Sequence, residues 1–477
     1  TITTSNNTNQ VYIKADTLLA NGSLIYQTTQ PTPVYGTVEM WSQSGWDTNQ
    51  PAGQKYNWQY FGIPIDTVKA SPTVNGAYIR YMDEAGNDTT THWHSLTNTS
   101  NIIPFKGYEL CFQTPRIISF NGKFVNRNFN SGQLSKTTTE GVLYAGQHIL
   151  ANPYTAAIDI RQITFGSDME QSVYLYNTGT FAQWNSGTAG KIGSTPGQYS
   201  AVPQLLAGES GIQSQVPSMN SMLVRVINST PNAFVNINYN SVITGNTERQ
   251  RIKSATNGSS KYVSTRIEVE SKNGIDKLWL FADEQLSRKY DNGYDAKKMT
   301  GSSLQQQIFA VEDDGEYQID ATDNLNNTKI AFQAGQEQDY KMTFYQTNID
   351  KKYSGLYLFD MVENKTTEIT ESGSVYNFKA NPTPKAVTRF RIIATPVVSD
   401  KEPEANIVYF NINNTLYLYN RANETANIYL FDISGRVLNR TTIPASGMTG
   451  LLMNPEKVII LRSVYSSSSE SHKIMIR

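Results

Sequence analysis

Two histidines one residue apart, in His92-Trp93-His94, are the only closely spaced imidazoles in the chain. Alternation along a strand would put both rings on one face, and two neutral imidazoles could begin a metal site. The other histidines, His148 and His472, are remote in sequence, so no third ligand can be identified. A strand edge with its histidines around a packed Trp93 is the simpler account. Asp291-Asn-Gly-Tyr-Asp295 and the acidic run from Glu312 to Asp320 set oxygen ligands around a glycine turn, as a calcium loop does. Neither has EF-hand spacing, and Asx-rich hairpin turns account for both without an ion. No cofactor is expected.

Gly208-Glu209-Ser210-Gly211 lacks the spacing of a nucleophile elbow and has no strand–turn–helix setting. A metalloprotease helix, a phosphate-cradling loop and a dinucleotide fingerprint do not occur. A glycosidase needs only two carboxylates roughly 5–10 Å apart. With 41 acidic residues, spacing alone does not exclude that arrangement. A secreted glycoside hydrolase therefore ranks last, and the expectation is a protein that is not an enzyme.

Aromatic residues are the more credible functional material. The chain has 28 tyrosines and 6 tryptophans. Such rings stack on sugars or anchor protein interfaces, because a large apolar face carries a polar handle. Most should fill β-cores. Trp41 and Trp46, in a Gly/Ser/Asn-rich setting, are the candidates for exposed binding aromatics.

Length and composition bound the elements that must position these groups. At 477 residues the chain exceeds one core, so several domains are expected. Charged residues are only 17% and the net charge is −1, which leaves no basic footprint for nucleic acid. One cysteine, Cys111, rules out an internal disulfide framework. No apolar run of about eighteen residues is present to span a bilayer as a helix. The expected form is a mature chain whose export leader has been removed.

Short alternating runs dominate: Ala77-Tyr-Ile-Arg-Tyr-Met82, Ser172-Val-Tyr-Leu-Tyr176, Ser221-Met-Leu-Val-Arg-Val226 and Lys277-Leu-Trp-Leu-Phe281. Each is bounded by Gly, Asn, Asp, Ser or Pro. This predicts an all-β, multidomain protein of sandwiches, jelly-roll or Ig-like, because the helical crossovers of a parallel sheet are missing. Polar stretches at 247–260 and 395–404 read as joints. The expected units are 1–130, 131–246, 261–394 and a small Ig-like domain at 405–477.

The first two units share an order of features. An apolar strand enters a turn with proline (Trp58 to Pro64; His148 to Pro153), and a Tyr-rich strand follows (Tyr78–Tyr81; Val173–Tyr176). A lone tryptophan comes next (Trp93; Trp184), then a proline turn into an apolar strand (Pro104 to Leu110; Pro217 to Val224). Four elements in one order point to two related β-modules.

The end of the chain reads Asn427-Ile-Tyr-Leu-Phe-Asp432-Ile-Ser-Gly435-Arg436, then Lys457-Val-Ile-Ile-Leu-Arg462, then Lys473-Ile-Met-Ile-Arg477. This tail resembles the C-terminal sorting (type IX secretion-like) domains of Bacteroidetes surface and secreted proteins, with Asp432, Gly435, Arg436, Lys473 and Arg477 carrying the likeness. Gly146-Gln-His-Ile-Leu-Ala-Asn152-Pro153-Tyr154-Thr-Ala-Ala157-Ile158-Asp159 is similar to a recurrent sequence of exported proteins from the same phylum. The resemblance implies an extracellular or outer-membrane-surface location and a non-catalytic surface-layer or adhesin role. The implied partners are further copies of the chain or other cell-surface components. Glycan binding through exposed aromatics is the alternative. It also implies O-glycosylation at Asp-Thr-apolar or Asp-Thr-Thr triplets, here at Thr17, Thr67 and Thr89.

Overall fold

A computed structural model describes residues 11–15, 22–26, 33–49, 55–85, 92–138, 144–179, 198–243, 260–272, 274–299, 305–397, 405–412, 414–454 and 458–476. Of these residues, 52% are strand and 5% helix, so the protein is all-β and built from several sheets. Thr17, Thr89, Trp184 and Arg477 lie outside the described residues, as do most of the two polar stretches read as joints.

Two four-stranded antiparallel sheets occupy the first half. One runs in the order Gln59–Phe61, Tyr108–Cys111, Tyr78–Met82, Trp93–Ser95. The other runs Gln147–Ala151, Ser221–Arg225, Ser172–Tyr176, Tyr199–Pro203. In each, the first strand in sequence pairs with the fourth, and the fourth with the second. The two sheets therefore have the same strand order.

The sheets sit against each other through backbone. Gly62 donates its N–H to the Met219 carbonyl at 2.9 Å, Gly107 to Ile149 at 3.0 Å, and Ala151 to Phe105 at 2.8 Å. The Ser221 hydroxyl donates to the Phe61 carbonyl at 2.7 Å. Any side chain at the two glycines would collide. A Cβ on Gly62 would lie 2.2 Å from that of Ala151, and one on Gly107 would lie 2.8 Å from the Ile149 carbonyl oxygen.

The Asn152-Pro153-Tyr154 corner holds this junction. The Asn152 amide donates to the carbonyls of Ala156, Val216 and Pro217 at 2.9–3.1 Å, while its oxygen accepts from Tyr154 N at 2.9 Å. Tyr154 is fully buried and donates to the Arg127 carbonyl at 2.8 Å. Asn420 repeats the device near the C-terminus, donating to Glu424, Ile443 and Pro444 and accepting from Ala422 N. In both places one amide satisfies the carbonyls of two chain segments that no ladder could pair.

Between 263 and 396 one large sheet wraps around a second core. Its strands run from Lys365–Glu368 at one end to Val375–Lys379 at the other. Ile267, Leu280, Ile330, Phe344, Leu358 and Phe390 meet inside. Gly274–Ala282 is buried along most of its length because both of its faces are covered. Leu278 and Leu280 point into this core, whereas Trp279 and Phe281 join the core of the second four-stranded sheet. The acidic loop at 287–295 seals that junction. Asn292 accepts from Gln171 N at 2.7 Å and donates to the Met169 carbonyl at 2.9 Å.

The last seven strands form a three-stranded sheet (Ile407–Ile412, Thr415–Asn420, Met448–Leu452) over a four-stranded one (Val437–Ile443, Ala426–Asp432, Val458–Val464, Ser469–Met475). Leu416 and Leu418 from one sheet pack on Ile428, Leu430, Ile459 and Leu461 from the other. Strand alternation produces this inside-out pattern directly.

Candidate functional site

The first four-stranded sheet carries a continuous ribbon of aromatic rings on one face. A two-residue ladder, Gly45–Trp46 against Tyr56–Asn57, sets Trp46 opposite Tyr56. Tyr78 then stands edge-on to both, its ring centre 5.8 Å from Trp46 and 5.7 Å from Tyr56. Tyr56 contacts Trp58 at 5.5 Å. The Arg80 guanidinium lies between two indoles, with Cζ 4.2 Å from the Trp58 ring and 4.6 Å from the Trp93 ring. Trp93 meets Tyr60, which stacks on Tyr176 of the second sheet at 4.6 Å and shares a hydrogen bond with Tyr199.

Strand register explains the grouping. Tyr60, Glu109, Arg80 and Ser95 lie side by side across the sheet, and Trp93 lies two residues along on the same face. A charged arginine in an aromatic strand needs a counter-charge, and Glu109 supplies it in direct contact. Burial pushes the Glu109 carboxyl up to about 7, against the downward pull of Arg80. The guanidinium stacks on both indoles, an arrangement open to arginine and poorly matched by lysine.

The ribbon changes character along its length. Its inner end, Tyr60, Tyr176 and Tyr199, is a seam between the two sheets, where burial raises all three phenols. Its outer end is open to solvent, with Tyr78 51% and Tyr56 38% exposed. That outer end can offer ring faces and hydroxyls to a ligand.

The residues singled out from sequence distribute as follows. Trp46 belongs to the ribbon but is half-buried, and its indole N–H is enclosed without a hydrogen-bond partner. Trp41 is also half-buried, on the Tyr35–Ser42 strand opposite Ile117. Neither is the freely exposed aromatic expected from its Gly/Ser-rich surroundings, because neighbouring strands flank both. Tyr56 and Tyr78 were missed as individual site residues. The lone arginine in Tyr78-Ile-Arg80-Tyr81 is the signal that could have found them.

His92 is buried, with Nδ1 2.9 Å from the Asp83 carbonyl, and His94 stacks on Tyr81 at 5.2 Å. In the acidic loop, Asp295 accepts from the backbone of Asp291 and Ala321, and Asp291 accepts from Ser287. Among the described residues no three His, Cys, Asp or Glu side chains are grouped to hold a metal ion. Burial pushes the Cys111 thiol up to about 12, so it is not a nucleophile at neutral pH.

In the tail, Asp432 organises a turn. It accepts from Ser434 N, Ser434 Oγ, Arg436 N and Arg436 Nε at 2.6–3.1 Å, and Gly435 takes a φ of 84°. The Asp-Ile-Ser-Gly-Arg motif is thus a self-contained hairpin corner. Lys473 is exposed on the edge strand, across from Ile460. Thr67 is exposed in a loop beside Asp66, which pairs with Arg127 and Lys123.

No protein-family model matches this chain. Over 463 residues, 91% of this chain, it is 30% identical to the minor fimbrium subunit Mfa5 of Porphyromonas gingivalis. The alignment covers 36% of that protein, so this chain spans about a third of its relative's length. A solved structure described as a biofilm associated protein, BSP domain, aligns over 96% of this chain at 8% identity, with a TM-score of 0.18 that carries no argument about fold.

Proposed function

We propose that this chain is a non-catalytic, cell-surface protein of the adhesin type that works by making contacts with neighbouring surface components. The observation that carries the reading is the collinear 30% identity over 91% of the chain to a fimbrium subunit. The interlocked sheets are consistent with it, since an all-β body of this kind is suited to presenting a surface. Assembly with other subunits, a surface-layer role and the outer-membrane location belong to the same proposal. So do the four-unit division of the chain, a sorting role for the Asp432–Arg436 corner with Lys473 and Arg477, and O-glycosylation at Thr67, Thr17 and Thr89. Deleting the gene in the native organism is expected to reduce adherence or surface-filament formation. Adherence and filaments unchanged in the deletion strain would refute the proposal.

A second reading, glycan binding, is favoured by one observation: the open end of the ribbon. Tyr56 and Tyr78 present solvent-facing rings beside Trp46, and such platforms stack on sugar faces. Retention on immobilised polysaccharide that is lost in Tyr56→Ala and Tyr78→Ala would support it. Absence of retention on any polysaccharide favours the purely structural role.

A further inference from the structure

The opposite face of the same sheet holds a separate feature. Tyr81 and His94 pair across the Tyr78–Met82 and Trp93–Ser95 strands, one residue out of step with Arg80 and Trp93, so they point away from the ribbon. There they border a cavity of about 340 Å³, together with Ser100, Asn101, Lys106 and Tyr108. That volume sits at the small end of ligand pockets, the size of a single sugar unit and not of a larger molecule.

Two polar groups in this wall have unspent capacity. Lys106 leaves the Pro104–Gly107 turn and is anchored by a backbone bridge to Leu150 of the second sheet. Its ammonium stands 3.1 Å from the centre of the Tyr81 ring. Among the described residues it has no carboxylate within ion-pair range. Burial lowers its pKa, and Asp83 counters this only in part. His94 Nε2 also lies near this acid, 4.0 Å from Asp83 Oδ2. A half-buried cation whose charge is met on one side by a ring face would gain from an anion on the other. Tyr108 is the second group. Its oxygen accepts from Ile103 N at 3.1 Å, and among the described residues its proton has no acceptor.

We propose that this cavity binds a monosaccharide-sized ligand bearing a carboxylate, such as a hexuronate, with Lys106 and Tyr108 donating to the carboxylate. Ser100 and Asn101 at the rim match the hydroxyls of the sugar ring. The site is distinct from the aromatic ribbon and does not depend on the surface role proposed above.

The test is ligand-observed NMR and calorimetry on the full chain with D-galacturonate, D-glucuronate, D-glucose and acetate. Binding of a hexuronate is expected, with glucose and acetate at least about tenfold weaker. Lys106→Met should weaken hexuronate binding by about tenfold or more, Lys106→Arg should retain most of it, and Tyr108→Phe should weaken it less. Thermal melts establish that each variant is folded. If Lys106→Met fails to fold, the comparison of Lys106→Arg with Tyr108→Phe decides. Absence of hexuronate binding, equal binding of acetate, or undiminished binding by folded Lys106→Met or Tyr108→Phe would overturn the proposal.

Discussion

The hydroxyls of Tyr60 and Tyr199 meet at 2.7 Å across the seam between two sheets of identical strand order. Tyr60 belongs to the first strand of one sheet and Tyr199 to the third strand of the other. The bond therefore joins non-equivalent positions of two similar bodies, so the pairing is not a symmetric one. Around it, Tyr176 stacks on Tyr60 at 4.6 Å and stands edge-on to Tyr199 at 5.2 Å. This packed aromatic cluster, with its shared hydroxyl contact, adds to the backbone hydrogen bonds that join the two sheets.

That contact predicts an asymmetry among variants. Tyr60→Phe or Tyr199→Phe leaves one enclosed hydroxyl without its partner and should lower stability by about 1–3 kcal/mol. The double variant removes both hydroxyls together and should cost less than the sum of the two. Urea denaturation of all four proteins checks this as a double-mutant cycle.

Glu109 predicts a pH dependence of defined sign. Burial raises its carboxyl from 4.5 to about 7, so the folded chain keeps the proton between those values after the unfolded chain has released it. Fewer protons on the unfolded state mean that this group's contribution to stability falls as pH rises from about 4.5 to about 7, then levels off. The loss should be on the order of 3 kcal/mol, since the shift from 4.5 to about 7 spans roughly 2.5 pH units at about 1.4 kcal/mol each. Melting temperatures across this range should show a shallower fall in Glu109→Gln than in the parent.

Asp360 and Arg389 form a bonded pair inside the large sheet, both almost fully enclosed, with contacts of 2.7–3.1 Å. Tyr376 donates to the same carboxylate at 3.0 Å. Asp360→Ala would strand a buried guanidinium and should cost about 3–5 kcal/mol. The same change at the exposed pair of Lys379 and Asp339 should cost under about 1 kcal/mol. Denaturant midpoints of Asp360→Ala and Asp339→Ala make the comparison.

Arg80 predicts a charge-specific effect. Arg80→Met would leave Glu109 buried without its counter-charge, and the cost should be larger at pH 8, where the parent carboxyl is ionised beside Arg80. Near pH 5 the carboxyl holds its proton and the cost should be smaller. Denaturation at the two pH values separates loss of charge from loss of stacking.

Much of the fold could be read from short runs bounded by turn residues. Tyr78–Met82, Ser172–Tyr176 and Ser221–Arg225 are short apolar and aromatic runs between turn residues and are strands, although the last two are buried on both faces and show no polar–apolar alternation. Their pairing could not be read. Gln147–Ala151 joins Ser221–Arg225 across some seventy residues, and nothing local specifies that choice. Burial on two faces was equally hidden, so Gly274–Ala282 resembles any apolar strand while serving two cores. The aromatic site was visible as composition and not as position. Trp41 and Trp46 look exposed from their neighbours in sequence, whereas their surroundings are set by strands far along the chain. Lys106 gave no signal at all, since a lysine in a proline turn is ordinarily solvated.

The surface role rests on where the protein resides and what it touches. Immunogold electron microscopy of intact cells of the native organism, with antibodies raised against this chain, tests it most directly. Label is expected on the outside of unbroken cells or on filaments projecting from them. Label confined to broken cells, with the protein recovered only from cytoplasm or periplasm, would contradict the account.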